Sequence, residues 1–439
     1  MATDVNVQYF SHLNGLVLGN NWGDLIRLLD KALVTGIDLT QITNASIDAQ
    51  GDITLSLYAV HNCMLFQIIE LSGFADVSVD GVSRQINGKY RIKGVPANNQ
   101  LILKGVVRTA DNPPVVNISS LGSAKLASLG YDIVFRDTND VKRVYRAKNP
   151  SAAHPFIRVD ESLTSPDGVT GVYSSAYCKA AMVGLIENMT HIDDYTDTSK
   201  LQLPLSAANV ALNFDITGTG TGVTRGWSKW FWTRSNSVNN ASIEISNQAV
   251  GNRVFTIVGD KDAFYFIRPS DTSTTLKMLS GCGLFDTVHK NDVVPNWFLM
   301  TTLYRAAASA TVALSSTVPH GGLPLALGAA ISRCFLPQFN EAVRISDHVY
   351  ATPQMPDFRS GNSNLYSPNN LAALQIPLVD QQNYLRGTLK HVYYNGKNYG
   401  ALAQATPILS DTSMYVADGI YINDSGTIGS PIFYLGEIE

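Results

Sequence analysis

Apolar and polar residues alternate with two different periods along this chain, and the change of period marks its organisation. Leu25, Leu28, Leu29, Ala32 and Leu33 recur at helical spacing and form one apolar stripe. Asn21 is placed to cap this amphipathic helix, Asp24 suits its first turn, and Gly36 is placed to end it. From Ile37 onward the period becomes two. Residues 53–57 alternate, 65–71 form a short apolar run, 90–92 alternate again, and Leu101-Ile102-Leu103 follows. Asp80-Gly81, Asn87-Gly88 and residues 96–99 supply turn chemistry between them, which predicts a small antiparallel β-module.

Asp111-Asn112-Pro113-Pro114 marks a boundary, because consecutive prolines cannot donate to a sheet ladder. Residues 123–129 read as a short helix closed by Gly130. Strands are expected at 133–135, 141–145 and 156–159. The apolar residues of 179–189 fit either period, with a strand preferred. TGTGTGVT, residues 217–224, lacks the GK[ST] ending of a phosphate-binding loop and reads as a surface loop. Residues 254–258 and 264–267 form a hairpin pattern across Asp260 and Asp262. In the last third, Pro337, Pro353, Pro356, Pro368 and Pro377 are expected to mark loops. Asn395-Gly396 signals a type I′ hairpin, and 432–435 a final strand. The expected fold is mainly β: small antiparallel modules or sandwiches with an N-terminal amphipathic helix and few short helices. The expected division is a helical segment 1–40, a small β-module 41–110, a central β-rich domain 111–335 and a β- and loop-rich domain 336–439.

Composition narrows the function classes. Hydrophobic residues make up 45% of 439, enough for extensive cores, while charged residues make up only 15%. An average soluble chain carries about 25% charge. Uncharged polar and β-branched residues replace it, as in β-rich proteins whose surfaces are covered on assembly. The net charge is −4, and the densest basic stretch, Arg136 to Lys148, is interrupted by Asp137 and Asp140. Direct nucleic-acid binding is therefore not expected. The start, MATDVNVQYF, lacks a signal-peptide pattern, and the apolar segment 321–331 falls short of the ~20 residues of a membrane span. A soluble product of the cytoplasm is expected, without a membrane span.

Candidate chemistry is sparse. Cys63, Cys178, Cys282 and Cys334 are dispersed and read as single buried thiols, and the eight histidines show no metal-ligand or catalytic spacing. No cofactor, metal or catalytic group is expected. Asp193, Asp194 and Asp197 offer carboxylates of the kind that glycoside hydrolysis needs, but a polar loop is the preferred reading. Asp260 and Asp262 offer oxygens to a cation without a complete calcium-loop pattern. Trp227, Trp230 and Trp232 are the candidate interaction surface, for sugars, bases or a protein partner, set against burial in a core.

An ordered series of motifs adds a resemblance. YFSHLNG is followed by NWGDLIRLLDKALVTG, IIELSGF, INGKYRI, VYRAK, FIRVDES, MVGLIENMTHIDDYTD, WSKWFW and FTIVGDKDAFYFI, across about residues 10–270. In this order the chain resembles structural proteins of tailed-bacteriophage particles. Among these it is most similar to the non-contractile tail-sheath protein of short-tailed phages that package a giant virion RNA polymerase. The resemblance implies a non-enzymatic tail-sheath subunit in a homo-oligomeric ring around the tail tube, assembled in the host bacterial cytoplasm. It implies contacts with other tail proteins, including tube and appendages, and with a host outer-surface receptor. The last third carries no motif of the series. The alternatives are a receptor-binding adhesin and a tail-associated glycan hydrolase.

Overall fold

The computed structural model describes residues 5–110, 113–164, 171–205, 213–220, 223–226, 228–235, 247–275, 277–289, 295–303, 334–338, 348–353, 373–395, 402–421, 428–429 and 431–438. The fold is mainly β, with 48% strand, 6% helix and several antiparallel sheets, so strand pairing organises it.

The largest sheet has thirteen strands. It begins at Gln8–Ser11 and passes through the hairpin Thr256–Gly259 and Ala263–Arg268, then Met278–Leu284 and Trp297–Met300. Cys334–Pro337, His348–Pro353, Ala373–Asp380 and Leu385–Asn395 follow. Ile432–Glu437, Ser413–Ala417 and Thr406–Ser410 come last, and Asp286–Thr287 pairs with Leu385–Asn395 as the thirteenth strand. An eight-stranded sheet is built between Ile37–Asp38 and Ser123–Leu126 on one side and Val116–Asn117 on the other. A seven-stranded sheet runs from Tyr131–Arg136 through Lys142–Ala147, Phe156–Asp160 and Ala180–Ile186 to Ser228–Phe231 and Thr302–Leu303.

Side-chain alternation explains the packing. Phe264 and Phe266 enter one core, shared with the eight-stranded sheet, and Tyr265 and Ile267 enter another on the opposite face. In Ala180–Ile186, Val183 and Leu185 join the first core while Met182 and Ile186 join a third. Strands covered on both faces need apolar residues at every position, which is why the apolar residues of 179–189 fit either period.

The N-terminal segment departs from expectation. An amphipathic helix at the N-terminus is not supported: the first described element is a strand, Gln8–Ser11, and α-helical geometry begins at Asp24. It lasts six residues, Asp24–Leu29, and widens into a π-helical turn, Asp30–Thr35. Ile26 is buried along with Leu25, Leu28 and Leu29, so the segment is enclosed beyond a single stripe. The N-cap is Gly23, at φ 85°, with no side-chain cap of its own; Asn21 does not serve. Gly36 ends the π turn, and a Cβ there would stand 2.2 Å from the Leu126 carbonyl oxygen.

Other local expectations change where tertiary pairing outweighs local pattern. Residues 123–129 are not helical: Ser123–Leu126 fills a slot between Ile68–Ser72 and Ile37–Asp38, with Lys125 facing Glu70 at 3.3 Å. Pro96 lies within the strand Gly88–Ala97, where irregular register relaxes the demand for a ladder N–H. Pro337 and Pro353 end strands, and Pro377 sits at a bulge. The strand after the 65–71 run starts only at Ile68, because Phe66 takes a left-handed turn at φ 66°. The predicted hairpin across Asp260 and Asp262 is present. Pro356, Pro368, the 396–399 turn, the 321–331 segment, residues 111–112, and Thr221 and Gly222 of the TGTGTGVT loop lie outside the described residues. Among the described residues no helix is long and apolar enough to cross a membrane.

Candidate functional site

The best-defined cleft, about 570 Å³, opens at one end of the seven-stranded sheet. Arg158 organises it. Fully buried on Phe156–Asp160, it donates from Nη1 to Asp160 at 2.8 Å, from Nη2 to Asp193 at 3.1 Å, and from Nε to the Ile192 carbonyl at 2.8 Å. Its guanidinium lies over the rings of Phe214 and Tyr195, at 4.2 and 4.5 Å from their centroids. A planar cation is thus held by two carboxylates and two aromatic rings.

The cleft separates its carboxyl groups electrostatically. Burial acts to raise Asp160, but Arg158, Lys142 and Ser162 outweigh it and hold the group below the usual carboxylate range. Burial pushes Glu161 up to about 7, against the N–H groups of Ile26 and Gly23 and the charge of Arg225. Burial also raises Asp215. A carboxyl group held low and two pushed up therefore line one cavity.

Of the three predicted carboxylates, only Asp193 reaches this cleft. Asp194 accepts from Lys200 Nζ at 2.8 Å and the His191 N–H at 2.9 Å, and these bonds with that of Thr190 hold it well below the usual range. Asp197 accepts from Ser199 Oγ at 2.6 Å and the Ser199 N–H at 2.9 Å. These two carboxylates close a polar loop instead of facing each other across a cavity.

The tryptophans are placed inside the protein. Trp230 and Trp232 are both 0% exposed, so neither forms a surface on this chain. Trp230 donates from Nε1 to the Met300 carbonyl at 3.0 Å and packs edge-on against Phe264. Trp232 packs edge-on against Trp22. The cause is strand position: Ser228–Phe231 lies between Ala180–Ile186 and Thr302–Leu303, in a sheet covered on both faces. Trp227 lies outside the described residues.

Asp260 and Asp262 join an ionic cluster at the hairpin turn. Asp260 accepts the N–H groups of Asp262 at 2.8 Å and Ala263 at 3.2 Å and lies 3.2 Å from His391 Nε2. Asp262 meets His154 Nε2 at 2.9 Å and Lys390 Nζ at 3.0 Å, and these partners hold it well below the usual range. Protein side chains surround both carboxylates, and the described residues contain no group of three side chains suited to a metal. All four cysteines are buried and none is in a disulfide, and burial pushes the Cys63 thiol up to about 12.

The sequence pattern does not point to Glu161 and Asp215, which line the cleft, or to Arg158, which holds Asp160 and Asp193 beneath it. FIRVDES carried the only signal, a charge placed between apolar strand positions. No protein-family model matches this sequence, and no curated protein matches it.

Proposed function

We propose that this chain is a structural subunit of a tailed-bacteriophage particle, a tail-sheath protein that forms a ring around the tail tube. The observation that carries this reading is the asymmetry of the large sheet. Its first strand, Gln8–Ser11, is sealed: every residue is buried, and Gln8 Nε2 donates to the carbonyls of Ile68 and Ala127, each at 2.9 Å. Its last strand, Thr406–Ser410, has a ladder partner on one side only among the described residues, and Leu409 is 52% exposed. An open edge facing a sealed one suits a head-to-tail contact, in which the edge docks on a different surface of the next copy. Pro407 removes one donor from that edge and restrains indiscriminate pairing.

A second observation supports a host-contact role on the same subunit. Tyr384 and Leu385 are exposed at one strand end, and the Val288 N–H, on another exposed apolar residue, bonds to the neighbouring Arg386 carbonyl at 3.1 Å. Exposed aromatic and aliphatic side chains suit a protein partner better than the buried tryptophans do.

Light scattering with negative-stain microscopy of the purified chain tests the reading. It predicts closed rings that Leu409→Lys disperses into folded monomers. A chain that stays monomeric at every concentration, and whose antibodies leave phage tails unlabelled, contradicts it.

A further inference from the structure

The residues between Lys142–Ala147 and Phe156–Asp160 hold a Ser–His–Asp relay. Ser151 is exposed, and its Oγ lies 2.7 Å from His154 Nδ1. His154 is buried, and its Nε2 lies 2.9 Å from Asp262 Oδ1, contributed from 108 positions away by the large sheet. An ionised carboxylate only accepts, so Nε2 carries the imidazole hydrogen and Nδ1 presents its lone pair to Ser151.

The relay is braced on every side. Lys390 fixes Asp262, the His154 N–H donates to the Ser151 carbonyl at 3.2 Å, and Trp297 Nε1 donates to the Ala153 carbonyl at 2.7 Å. A nucleophile, a base within hydrogen-bond reach and a third group orienting that base are the parts of an activated serine. The N–H groups of Ala152 and Ala153, next in the chain, have no hydrogen-bond partner among the described residues.

We propose that Ser151 is a reactive nucleophile towards esters of small acyl groups carried on a larger molecule. The class follows from exposure, because the bulk of such a molecule can stay outside while its ester reaches Oγ. In the step, Oγ bonds to the acyl carbon as its proton passes to His154 Nδ1. The ester C–O bond then breaks, and the leaving alcohol takes that proton. Water, deprotonated by His154, next releases the acid and restores Ser151. This inference does not depend on the sheath reading.

The Ser151 N–H also donates to Nδ1, at 2.9 Å, and a relay that served only to close the turn would need no reactive Oγ. A fluorophosphonate probe separates the two. Oγ displaces fluoride from phosphorus, the proton goes to His154, and mass spectrometry locates the adduct. The full chain is expected to label at Ser151. Ser151→Ala should abolish that adduct, and His154→Gln should slow it by about 100-fold or more. Asp262→Asn, which keeps the shape of the site, is expected to slow it as well, and it decides the matter if His154→Gln does not fold. No adduct at Ser151 in the folded protein, or an unchanged rate in whichever of these two variants folds, overturns the proposal.

Discussion

Arg91 and Leu435 lie 344 positions apart, yet the Arg91 guanidinium donates from Nη2 to the Leu435 carbonyl at 2.7 Å. Its Nη1 donates to the carbonyls of Val7 at 2.8 Å and Phe66 at 2.7 Å. One buried side chain thus ties the N-terminal segment, the eight-stranded sheet and the strand Ile432–Glu437 of the large sheet together. Arg91→Leu strands buried carbonyls and is expected to cost at least about 3 kcal/mol in urea unfolding. Arg91→Lys should recover only part of that, since an ammonium cannot reproduce the planar fork. Full recovery by lysine would show that charge alone suffices.

Much of the strand pattern was legible locally. Ile53–Leu57 and the hairpin across Asp260 and Asp262 announce themselves through alternation and turn chemistry. Arg91 does not: within Tyr90-Arg91-Ile92 it reads as the solvent face of a strand, and its burial is set by carbonyls from distant segments. The same limit hid the cleft and the relay. SAAH is an ordinary turn until Asp262 arrives from another sheet, and large aromatics on both faces of one strand leave a core and an interaction surface open until the covering segments are in place.

Trp230→Ala is expected to cost about 3–5 kcal/mol, as for other large core aromatics. Tyr384→Ser, at an exposed position, should change stability by less than about 0.5 kcal/mol while weakening host contact. Urea midpoints measured side by side separate core from surface. Equal effects would contradict this placement.

Glu161 supplies a pH dependence. Its Oε1 accepts the Ile26 N–H at 2.8 Å and its Oε2 accepts that of Gly23, so it caps the short helix from another sheet. Burial raises it from an ordinary 4.5 to about 7. A raised folded value means that its stabilising contribution is complete below about 4.5 and is lost as pH rises through about 7. That loss is on the order of 3 kcal/mol. Unfolding free energies should fall across this window, and Glu161→Gln should flatten the slope. An unchanged slope in the variant would assign the effect elsewhere.

Lys277 and Asp418 form a fully buried ion pair, and Thr256 Oγ1 donates to Asp418 at 2.8 Å. Lys277→Met leaves a buried carboxylate without its cation and is expected to cost about 3–5 kcal/mol. Adding Asp418→Leu should restore part of the loss, giving a favourable coupling in a double-mutant cycle. Strict additivity would contradict a direct pair.

The central claim is the sheath role, and a density map of the intact phage particle into which this chain is traced tests it most directly. The account predicts a closed ring of copies around the tail tube, with Thr406–Ser410 of each copy against its neighbour. Density that places the chain elsewhere in the particle, or a particle that lacks it, would contradict the account.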